Sequence, residues 1–535
     1  MMHNKKAKKQ GLYILIGLPL IPVGLSVYLL NQYLGLDSIV RLYASCLIVF
    51  IYLAIMLLGF YFVNKRLKVG TLIISLIAVL FLIGSSYFSY VNIRIYASLN
   101  QMVRNQSEIN YSLVTLSQGK INLESDLDHK KIGIINLSDV RIVDAIEDYL
   151  NEKKLIESNE IVRFNNPTEM LHHLYTGEID AMVIGSGFVS LFSDSDRFTN
   201  IESETQILDT FTVMTENAFL DNSSIVEEPF SILLLGTNSM LEGEIDFGQV
   251  NTLILMTINP QNLSVTMTSI PRDSYVSVPC FNYTKDKLSH THNVGTTCVI
   301  ETVEHLLNIE IPYYVKLNFR GMVNLVDTLG GIEVEVPITI SEQNSRRQFG
   351  EHMITVEEGL QILDGEQALA LSRHRKTLTN GDFGRVGHQQ LVLEGIANRI
   401  LTEVYSVSEM LAILDVLGEN LDTNLSIMEI TSIVRYLLEL VPANPNSNPL
   451  EEVHIKNMVL SGEVSTVQTV YYEFPLSVIF LYEGAIRDSR ELMLINLERI
   501  EPEMSYSFSY DGFNSNQTMW VQPFYDEPQS IENMN

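Results

Sequence analysis

Four arginines stand where the sequence predicts that strands and helices end or begin. Arg272 follows an apolar run, Arg373 and Arg375 close a second stretch, and Arg385 opens a helical pattern. A guanidinium stays charged at every relevant pH and can bind two phosphate oxygens through parallel hydrogen bonds. A helix N-terminus adds unsatisfied N–H groups that favour an anion. These residues therefore predict a site for a phosphate or a diphosphate.

The spacing of Arg373 and Arg375 predicts one cationic edge. If residues 370–375 are extended, the period of two places Leu371, Arg373 and Arg375 on the same face, which then runs from apolar to doubly charged. A solvated pair of arginines at a strand end is the alternative, and periodicity does not show whether Arg272 lies nearby.

Charge excludes one broad class of function. The chain has 535 residues with 35 Lys+Arg against 64 Asp+Glu, a formal net charge of −29. Residues 1–100 contain nine Lys/Arg and one acid, so that segment is +8 and residues 101–535 hold −37. Because nucleic-acid binding needs a basic surface to neutralise phosphates, no nucleic-acid partner is expected. Any anion bound by the acidic part must contact a local group of cations.

The first elements that the sequence predicts are membrane-spanning helices, which precede the part of the chain that contains these four arginines. Residues 1–95 predict an anchor with three transmembrane helices, at 11–30, 42–63 and 70–91, each essentially uncharged and long enough to cross a hydrocarbon core of about 30 Å. Lys and Arg residues precede the first span and separate the second from the third, which places the N-terminus in the cytoplasm and residues after about 92 outside the cell. With no small-residue cleavage site after the first span, the sequence favours an anchor over a signal peptide.

The exported chain predicts an α/β fold in three parts. Residues 96–217 predict a stalk, helical over 92–125, and a small α/β accessory domain with a parallel sheet. The predicted strands, at 131–136, 161–164 and 180–184, alternate with helices predicted at 140–150 and 168–175. Residues 218–461 continue that alternation, with strands predicted at 231–236, 251–258 and 263–270 and an amphipathic helix at 298–308, and predict a larger domain with a central sheet flanked by helices. Residues 462–535 predict a β-rich C-terminal extension.

Cysteine usage fits an exported domain. Cys280 and Cys298 both fall in the exported part, 18 residues apart, and can form a disulfide in an oxidising compartment. Two unpaired thiols are the alternative. No Cys/His spacing indicates a zinc site.

A series of motifs from about Pro229 to Leu440 resembles the LytR–CpsA–Psr (LCP) family of Gram-positive cell-envelope proteins. The motifs are Leu235-Gly236, Ser269-Ile-Pro-Arg-Asp273, Asp286-Lys-Leu288, Tyr314-Val-Lys-Leu-Asn-Phe319, Leu325-Val-Asp-Thr-Leu-Gly-Gly-Ile-Glu-Val334, Leu363-Asp-Gly-Glu-Gln-Ala-Leu369, Arg373-His-Arg375 and Gly381-Asp-Phe-Gly-Arg385 with Gln389-Gln390. Several spans followed by an accessory domain and this region look most like the capsule-associated CpsA branch.

The resemblance implies a phosphotransferase at the outer face of the membrane. Family members are thought to move a glycopolymer, such as capsule or a teichoic-acid-like polymer, from an undecaprenyl-pyrophosphate carrier to peptidoglycan, and capsule-assembly proteins are further implied partners. The residues that match the family's pyrophosphate pocket are Arg272, Lys287, Arg373, Arg375, Arg385 and Gln389. Asp273 and Asp382 are the candidates for the acid–base or orienting group, with Arg272 as a further catalytic candidate.

Two departures from the family pattern concern the cofactor. The family usually carries two aspartates that hold Mg²⁺, and Asn238 and Asn251 stand at those positions here. Because Mg²⁺ prefers hard, anionic oxygen ligands, two amides should weaken metal binding considerably. His388 stands where many members have another basic residue, and it is either an exposed helix residue or a phosphate contact.

Three functions remain as alternatives. The first is an active glycopolymer transferase, and the second is a catalytically weak homologue that binds polyprenyl phosphates and regulates or scaffolds wall assembly. The third, a membrane-tethered transcription regulator, conflicts with a topology that places the acidic domain outside the cell.

Overall fold

The computed structural model describes residues 19–32, 38–65, 67–103, 106–119, 121–192, 198, 200–216, 225–239, 249–375, 377–378, 382–403, 406–440, 453–467 and 476–500. The helices within these residues are α1 (Leu20–Gln32), α2 (Ser38–Asn64), α3 (Lys68–Met102), α4 (Val140–Glu152), α5 (Leu155–Ser158), α6 (Pro167–Thr176), α7 (Phe188–Phe192), α8 (Ile201–Glu204), α9 (Thr296–Leu307), α10 (Phe319–Thr328), α11 (Gly365–Arg373), α12 (Asp382–Glu403), α13 (Val407–Asn420), α14 (Ile427–Leu440) and α15 (Glu483–Asn496).

The strands are β1 (Gln106–Leu116), β2 (Lys131–Ile135), β3 (Glu160–Phe164), β4 (Ala181–Gly185), β5 (Thr205–Glu216), β6 (Phe230–Thr237), β7 (Val250–Asn259), β8 (Ser264–Ser269), β9 (Tyr275–Val278), β10 (Thr284–Lys287), β11 (Tyr313–Asn318), β12 (Ile332–Val336), β13 (Ile340–Glu342), β14 (Ile354–Val356), β15 (Gly359–Leu363), β16 (Leu421–Thr423), β17 (His454–Val459), β18 (Gly462–Val467) and β19 (Leu476–Leu481).

Two helices in the described part of the chain are long and apolar enough to cross a membrane. They are Arg41–Asn64 within α2 and the 35-residue helix α3, Lys68–Met102. The third predicted span, 11–30, is not supported in the same way, because α1 has only 13 residues and positions 11–18 lie outside the described residues. The prediction of three spans is therefore corrected to two candidate helices, which are compatible with a membrane anchor.

The accessory domain contains a mixed sheet, in which the three predicted strands, β2, β3 and β4, are parallel as predicted and two further strands add antiparallel pairs. Its five strands have the order β3-β2-β4-β1-β5, with β2 parallel to β3 and β4, and β1 antiparallel to β4 and β5. The prediction missed β1 because its polar residues read as part of a helical stalk, whereas α3 ends at Met102 and a strand follows. At the start of β1, Gln106 pairs with Glu216 at the end of β5, so the chain enters and leaves this domain at neighbouring points.

Local signals explain why the predicted elements of the accessory domain form. The helix predicted at 168–175 is α6, where the Asn166 side chain accepts a hydrogen bond from the Glu169 N–H and Pro167 occupies the first turn. Gly177, with φ +74°, ends the helix in the left-handed conformation that glycine adopts without strain. The strands and helix predicted at 131–136, 140–150, 161–164 and 180–184 are confirmed as β2, α4, β3 and β4.

The larger α/β unit is built on the six-stranded sheet β16-β11-β6-β7-β8-β17. Its inner strands are nearly continuous apolar runs, as in β6, which is typical of a sheet covered on both faces. Lys316 on β11 and Asp422 on the edge strand β16 form a fully buried ion pair of 3.0 Å. Loss of either partner would leave a buried charge, at a cost of about 3–5 kcal/mol. The predicted central sheet with helices around it is confirmed.

Residues 453–500 complete this unit. The strand β17 pairs with β8 in the central sheet, β18 and β19 form a hairpin, and α15 packs on β7, β8 and β17. The prediction of a β-rich extension thus covers a hairpin and a helix, and residues 501–535 lie outside the described residues.

Two contacts hold the larger unit to the rest of the chain. The end of α3 packs on α13, where Arg94 forms an ion pair with Asp415, and the Ser98 hydroxyl donates to the same carboxylate at 2.9 Å. The 3₁₀ segment Leu288–Val294 contacts the accessory domain, since a Cβ on Gly185 would lie 2.4 Å from a backbone oxygen within that segment. A disulfide joins Cys280 to Cys298, with 5.7 Å between their Cα atoms, close to this second contact.

Candidate functional site

Three of the predicted cations surround Asp273, just beyond the end of β8. Lys287, the last residue of β10, places its ammonium 3.3 Å from Asp273 Oδ1. Arg272 Nε lies 3.9 Å from Asp273 Oδ2. Arg385 is buried near the start of α12, close enough for its charge to act on the same carboxylate. Periodicity did not show whether Arg272 lies near the other predicted cations. The fold brings Arg272, Lys287 and Arg385 together, because β8 and β10 end where α12 begins.

The electrostatics of Asp273 reflect this cluster of cations. Burial raises the pKa of the carboxyl group, but the positive charges of Lys287, Arg272 and Arg385 outweigh burial, so the pKa lies below its ordinary value. The carboxylate is therefore ionised at neutral pH and offsets only part of the surrounding positive charge. The arrangement can bind an anion with more than one negative charge, such as a diphosphate.

Arg272 is held from the other side by two amides at the start of β7. Its Nη1 donates to Gln249 Oε1 at 3.1 Å and to the Asn251 side-chain oxygen. Gln249 is buried, and its backbone exchanges hydrogen bonds with Asn238, which follows β6: Gln249 N–H donates to Asn238 Oδ1 at 2.8 Å, and Asn238 N–H donates to the Gln249 carbonyl at 3.0 Å. The ends of two central strands thus fix the position of the guanidinium.

The helix α12 connects the site to the sheet and to α11. Gln389 lies one turn after Arg385, is buried, and donates to the Ser372 carbonyl at 3.3 Å. Gln390 donates to Ser269 Oγ at 3.1 Å, at the end of β8. Gln389 therefore positions α12 against the last turn of α11.

The prediction that residues 370–375 are extended was wrong, because they belong mainly to α11. Asp364 caps this helix: its side chain accepts from the Gln367 N–H, while the Gln367 side chain accepts from the Asp364 N–H, a reciprocal capping box. Asp364 and Gln367 stand three positions apart in the sequence, so this signal was available. Arg373 is the last residue of the helix and Arg375 lies beyond it, so no strand alternation places the two side chains on one face.

Arg373 and Arg375 have different surroundings as a result. Arg373 is half-buried, lies over the Phe319 ring at 5.8 Å and donates to the Asn344 carbonyl at 3.3 Å. Burial, with the charge of Arg347 beside it, lowers the pKa of Arg373, and Glu342 and Glu366 oppose the shift. Arg375 lies beyond the helix end and is exposed.

The sequence allowed His388 to be an exposed helix residue or a phosphate contact. In the structure its side chain is buried and contacts protein, so neither prediction holds. Its imidazole hydrogen-bonds to the backbone of Leu371, and burial lowers its pKa to about 4. The histidine is therefore neutral at physiological pH and adds no charge to the anion site. Asp382 begins α12, and its side chain lies outside the described residues.

The amides at positions 238 and 251 do not fit a divalent metal ion. Each side-chain oxygen already accepts a hydrogen bond from the protein, that of Asn238 from the Gln249 N–H and that of Asn251 from Arg272. Mg²⁺ requires near-octahedral oxygen ligands, commonly including carboxylates. Within the described ranges, no group of three or more His, Cys, Asp or Glu side chains could hold a metal.

Sequence reasoning missed the residues that hold the arginines in place. Gln249 carried no reliable signal, because it precedes β7 and a β-bulge at the start of that strand interrupts the regular alternation of side chains. Phe319 and Asn344 carried none, since only the folded chain brings them to Arg373.

The model of the LytR_cpsA_psr family matches residues 198–476. A protein from Enterococcus faecalis named polyisoprenyl-teichoic acid–peptidoglycan teichoic acid transferase TagU is 38% identical over 208 residues, which cover 39% of this chain and 65% of that protein. The Bacillus subtilis protein of the same name is 33% identical over 247 residues, covering 46% of this chain and 72% of that protein.

The match to the Enterococcus protein thus spans slightly less than two thirds of its length. Among solved structures, the crystal structure of TagV from B. subtilis is 26% identical and covers 51% of this chain and 98% of that chain, with a TM-score of 0.42.

Proposed function

Because this chain belongs to the LytR_cpsA_psr family, we propose that it transfers a glycopolymer from an undecaprenyl-pyrophosphate carrier to peptidoglycan. The polymer is a capsule or a teichoic-acid-like chain. Two relatives that are named as teichoic acid transferases, at 38% and 33% identity, support this reaction class.

The observation that carries the proposal is the cluster of Arg272, Lys287 and Arg385 around Asp273. Phosphoryl transfer depends mainly on positioning and on stabilisation of negative charge, which fixed cations can supply. The net charge of these four groups is positive, as an anionic diphosphate requires.

The reaction has a simple balance of bonds. A hydroxyl oxygen of peptidoglycan attacks the phosphorus that carries the glycan, a new O–P bond forms, and the P–O bond to the polyprenyl phosphate breaks. The hydroxyl proton passes to a base, and the leaving group takes the bonding electrons. Arg272, Lys287 and Arg385 contact the diphosphate oxygens and stabilise the charge that develops on the leaving phosphate.

Asp273 acts as an orienting group in this scheme. Its lowered pKa makes the carboxylate a weak base, which is poorly matched to proton abstraction near neutral pH. Its contacts with Lys287 and Arg272 instead hold both cations toward the substrate. Asp382, at the start of α12, stays a candidate for the base.

The reaction takes place at the outer face of the membrane in this proposal. The apolar helices α2 and α3 anchor the chain, and the cationic residues at the junction between them, Lys65 and Lys68, lie at the cytoplasmic side, so the chain that follows α3 lies outside the cell. The carrier lipid then reaches Arg272 from the same bilayer that holds α3.

A second candidate function is a homologue that binds polyprenyl phosphates without efficient turnover and regulates wall or capsule assembly. The amides at positions 238 and 251 favour it, because two carboxylates of the family pattern are replaced.

One experiment separates the two functions. Full-length protein in lipid nanodiscs is mixed with a labelled saccharide on a polyprenyl diphosphate and with isolated peptidoglycan, and transferred label and released polyprenyl phosphate are measured together. Transfer that Arg272→Ala and Arg385→Ala abolish supports the transferase. Binding of the lipid without either product supports the second function, and unchanged transfer in both variants contradicts the site assignment. Arg435→Ala is the matched control, since this arginine is exposed on α14, where the neighbouring Tyr436 donates to the Pro260 carbonyl in the β7–β8 turn, at the opposite end of β8 from Asp273.

A further inference from the structure

We propose that this site binds its diphosphate without a divalent cation, and that Gln249 and Asn251 are positioning residues that hold Arg272 where it supplies the positive charge. The inference rests on the proposed function for the identity of the ligand, a polyprenyl diphosphate. It assigns a role to Gln249, which none of the sequence motifs includes.

The geometry of β7 supports this role. Gln249 directly precedes β7 and Asn251 is the second residue of that strand, and the amide oxygens of both side chains accept from Arg272 Nη1. The backbone of Gln249 is itself fixed by two hydrogen bonds with Asn238. The guanidinium therefore rests on a rigid support formed by two central strands.

The neutral character of that support matters for the ligand. An amide oxygen accepts a hydrogen bond from a guanidinium and adds no negative charge, whereas a carboxylate at either position would form a stronger, charge-assisted pair and compete with the diphosphate. Neutral residues at 249 and 251 thus hold Arg272 in place without offsetting its positive charge, which remains able to attract an anion.

The same contacts disfavour a metal ion. The Asn251 oxygen faces a guanidinium, so a divalent cation at that oxygen would lie beside a like charge and be repelled. The Asn238 oxygen is occupied by the Gln249 N–H. The cations Arg272, Lys287 and Arg385 then contribute charge that a metal would otherwise supply.

The test measures binding rather than turnover. Full-length protein in nanodiscs is titrated with a fluorescent short-chain polyprenyl diphosphate, once with Mg²⁺ and once with a chelator. We expect the Kd in the two buffers to agree within about threefold. Binding only in the presence of Mg²⁺ overturns this inference and leaves the proposed function standing, whereas absence of binding in both buffers overturns both.

Variants separate an electrostatic role from a structural one. Gln249→Ala should weaken chelator-buffer binding about tenfold, the scale of one hydrogen bond to a charged group. Gln249→Glu keeps an acceptor but adds a charge, so it should also weaken binding in the chelator buffer. The double variant Asn238→Asp/Asn251→Asp should lose affinity in that buffer and regain it with Mg²⁺.

The control and the opposing outcomes complete the design. Gln261→Ala removes an exposed glutamine from the β7–β8 turn, at the far end of the sheet, and should bind as the wild type does. Thermal unfolding identifies any variant that fails to fold. If one of Gln249→Ala and Gln249→Glu fails, the binding affinity of the other tests the role of Gln249. Wild-type affinity in Gln249→Glu, or a double variant that binds without any response to Mg²⁺, overturns the assignment.

Discussion

The ammonium of Lys287 lies 3.3 Å from Asp273 Oδ1, and this pair joins the end of β10 to the segment that follows β8. Because Arg272 Nε lies 3.9 Å from the other oxygen of the same carboxylate, Asp273 fixes the separation of two cations. The carboxylate is a structural part of the anion site, and its protonation should disturb the site.

The lowered pKa of Asp273 gives stability a defined pH dependence. A carboxyl group with a depressed folded-state pKa contributes stability that is fully present above its ordinary pKa of about 3.9 and is lost as pH falls through the lower folded-state value. The wild type should therefore be more stable than Asp273→Asn at pH 7, and the difference should shrink below about pH 4. Chemical unfolding at several pH values measures it, and a difference that grows in acid would contradict the assigned ion pairs.

Arg373 and Arg375 should contribute unequally to binding. Arg373 is held by Phe319 and by the Asn344 carbonyl, whereas Arg375 is exposed. A preordered guanidinium loses less entropy when it binds a ligand. Arg373→Ala should weaken polyprenyl-diphosphate binding about tenfold or more, the scale of a bond to a charged group, and Arg375→Ala should have a clearly smaller effect. If Arg373→Ala and Arg375→Ala lose the same affinity for the polyprenyl diphosphate in a titration, the burial of Arg373 does not increase its contribution to binding.

His388 should make the wild type sensitive to mild acid. Its pKa falls from 6.5 to about 4 on folding, so between these values the unfolded state binds a proton that the folded state does not. Stability is therefore lost as pH decreases from 6.5 to 4, by about 3 kcal/mol at most. His388→Gln, which can still donate to the Leu371 backbone, should lose less between pH 7 and 4.5 in urea unfolding. His352→Gln, at an exposed histidine, is the control and should follow the wild type.

The disulfide should stabilise the larger unit. It closes a segment with a sequence separation of 18, and loops of that size contribute about 3 kcal/mol in the chain-entropy account. A reductant, or the double variant Cys280→Ser/Cys298→Ser, should lower the free energy of unfolding by that order. Cys46→Ser, at the exposed cysteine of α2, should change nothing. An unchanged midpoint under reductant would argue against the bridge in the native protein.

Local patterns predicted most of the elements, because the required signals lie close together in the chain. The apolar runs of β6, β7 and β8 and the amphipathic helices α4, α6 and α9 were all identified from periodicity. The two main errors have the same kind of cause. The polar residues of β1 resemble a stalk, and the end of α11 resembles a strand because its side chains alternate over six positions. The capping residues Asp364 and Gln367 are the local signal for a helix there.

The site residues were predicted from their types and from a family resemblance, and their arrangement could not be predicted. Arg272 and Arg385 are 113 positions apart, and only the packing of α12 beside the end of β8 brings both to Asp273. The supporting groups Gln249, Phe319 and Asn344 belong to three further elements or loops. Such contacts depend on tertiary packing, which short-range patterns do not encode.

The pairing of Gln106 with Glu216 has a consequence for how the accessory domain can act. Because the chain enters and leaves that domain at neighbouring points, and α3 packs directly on α13, the contact between α3 and the larger unit does not pass through the accessory domain. Its contact with Leu288–Val294 offers a different route, since this segment follows Lys287 and its Ser289 N–H donates to the Arg272 carbonyl at 2.9 Å. A change of shape in the accessory domain would therefore act on the backbone that positions Lys287 and Arg272.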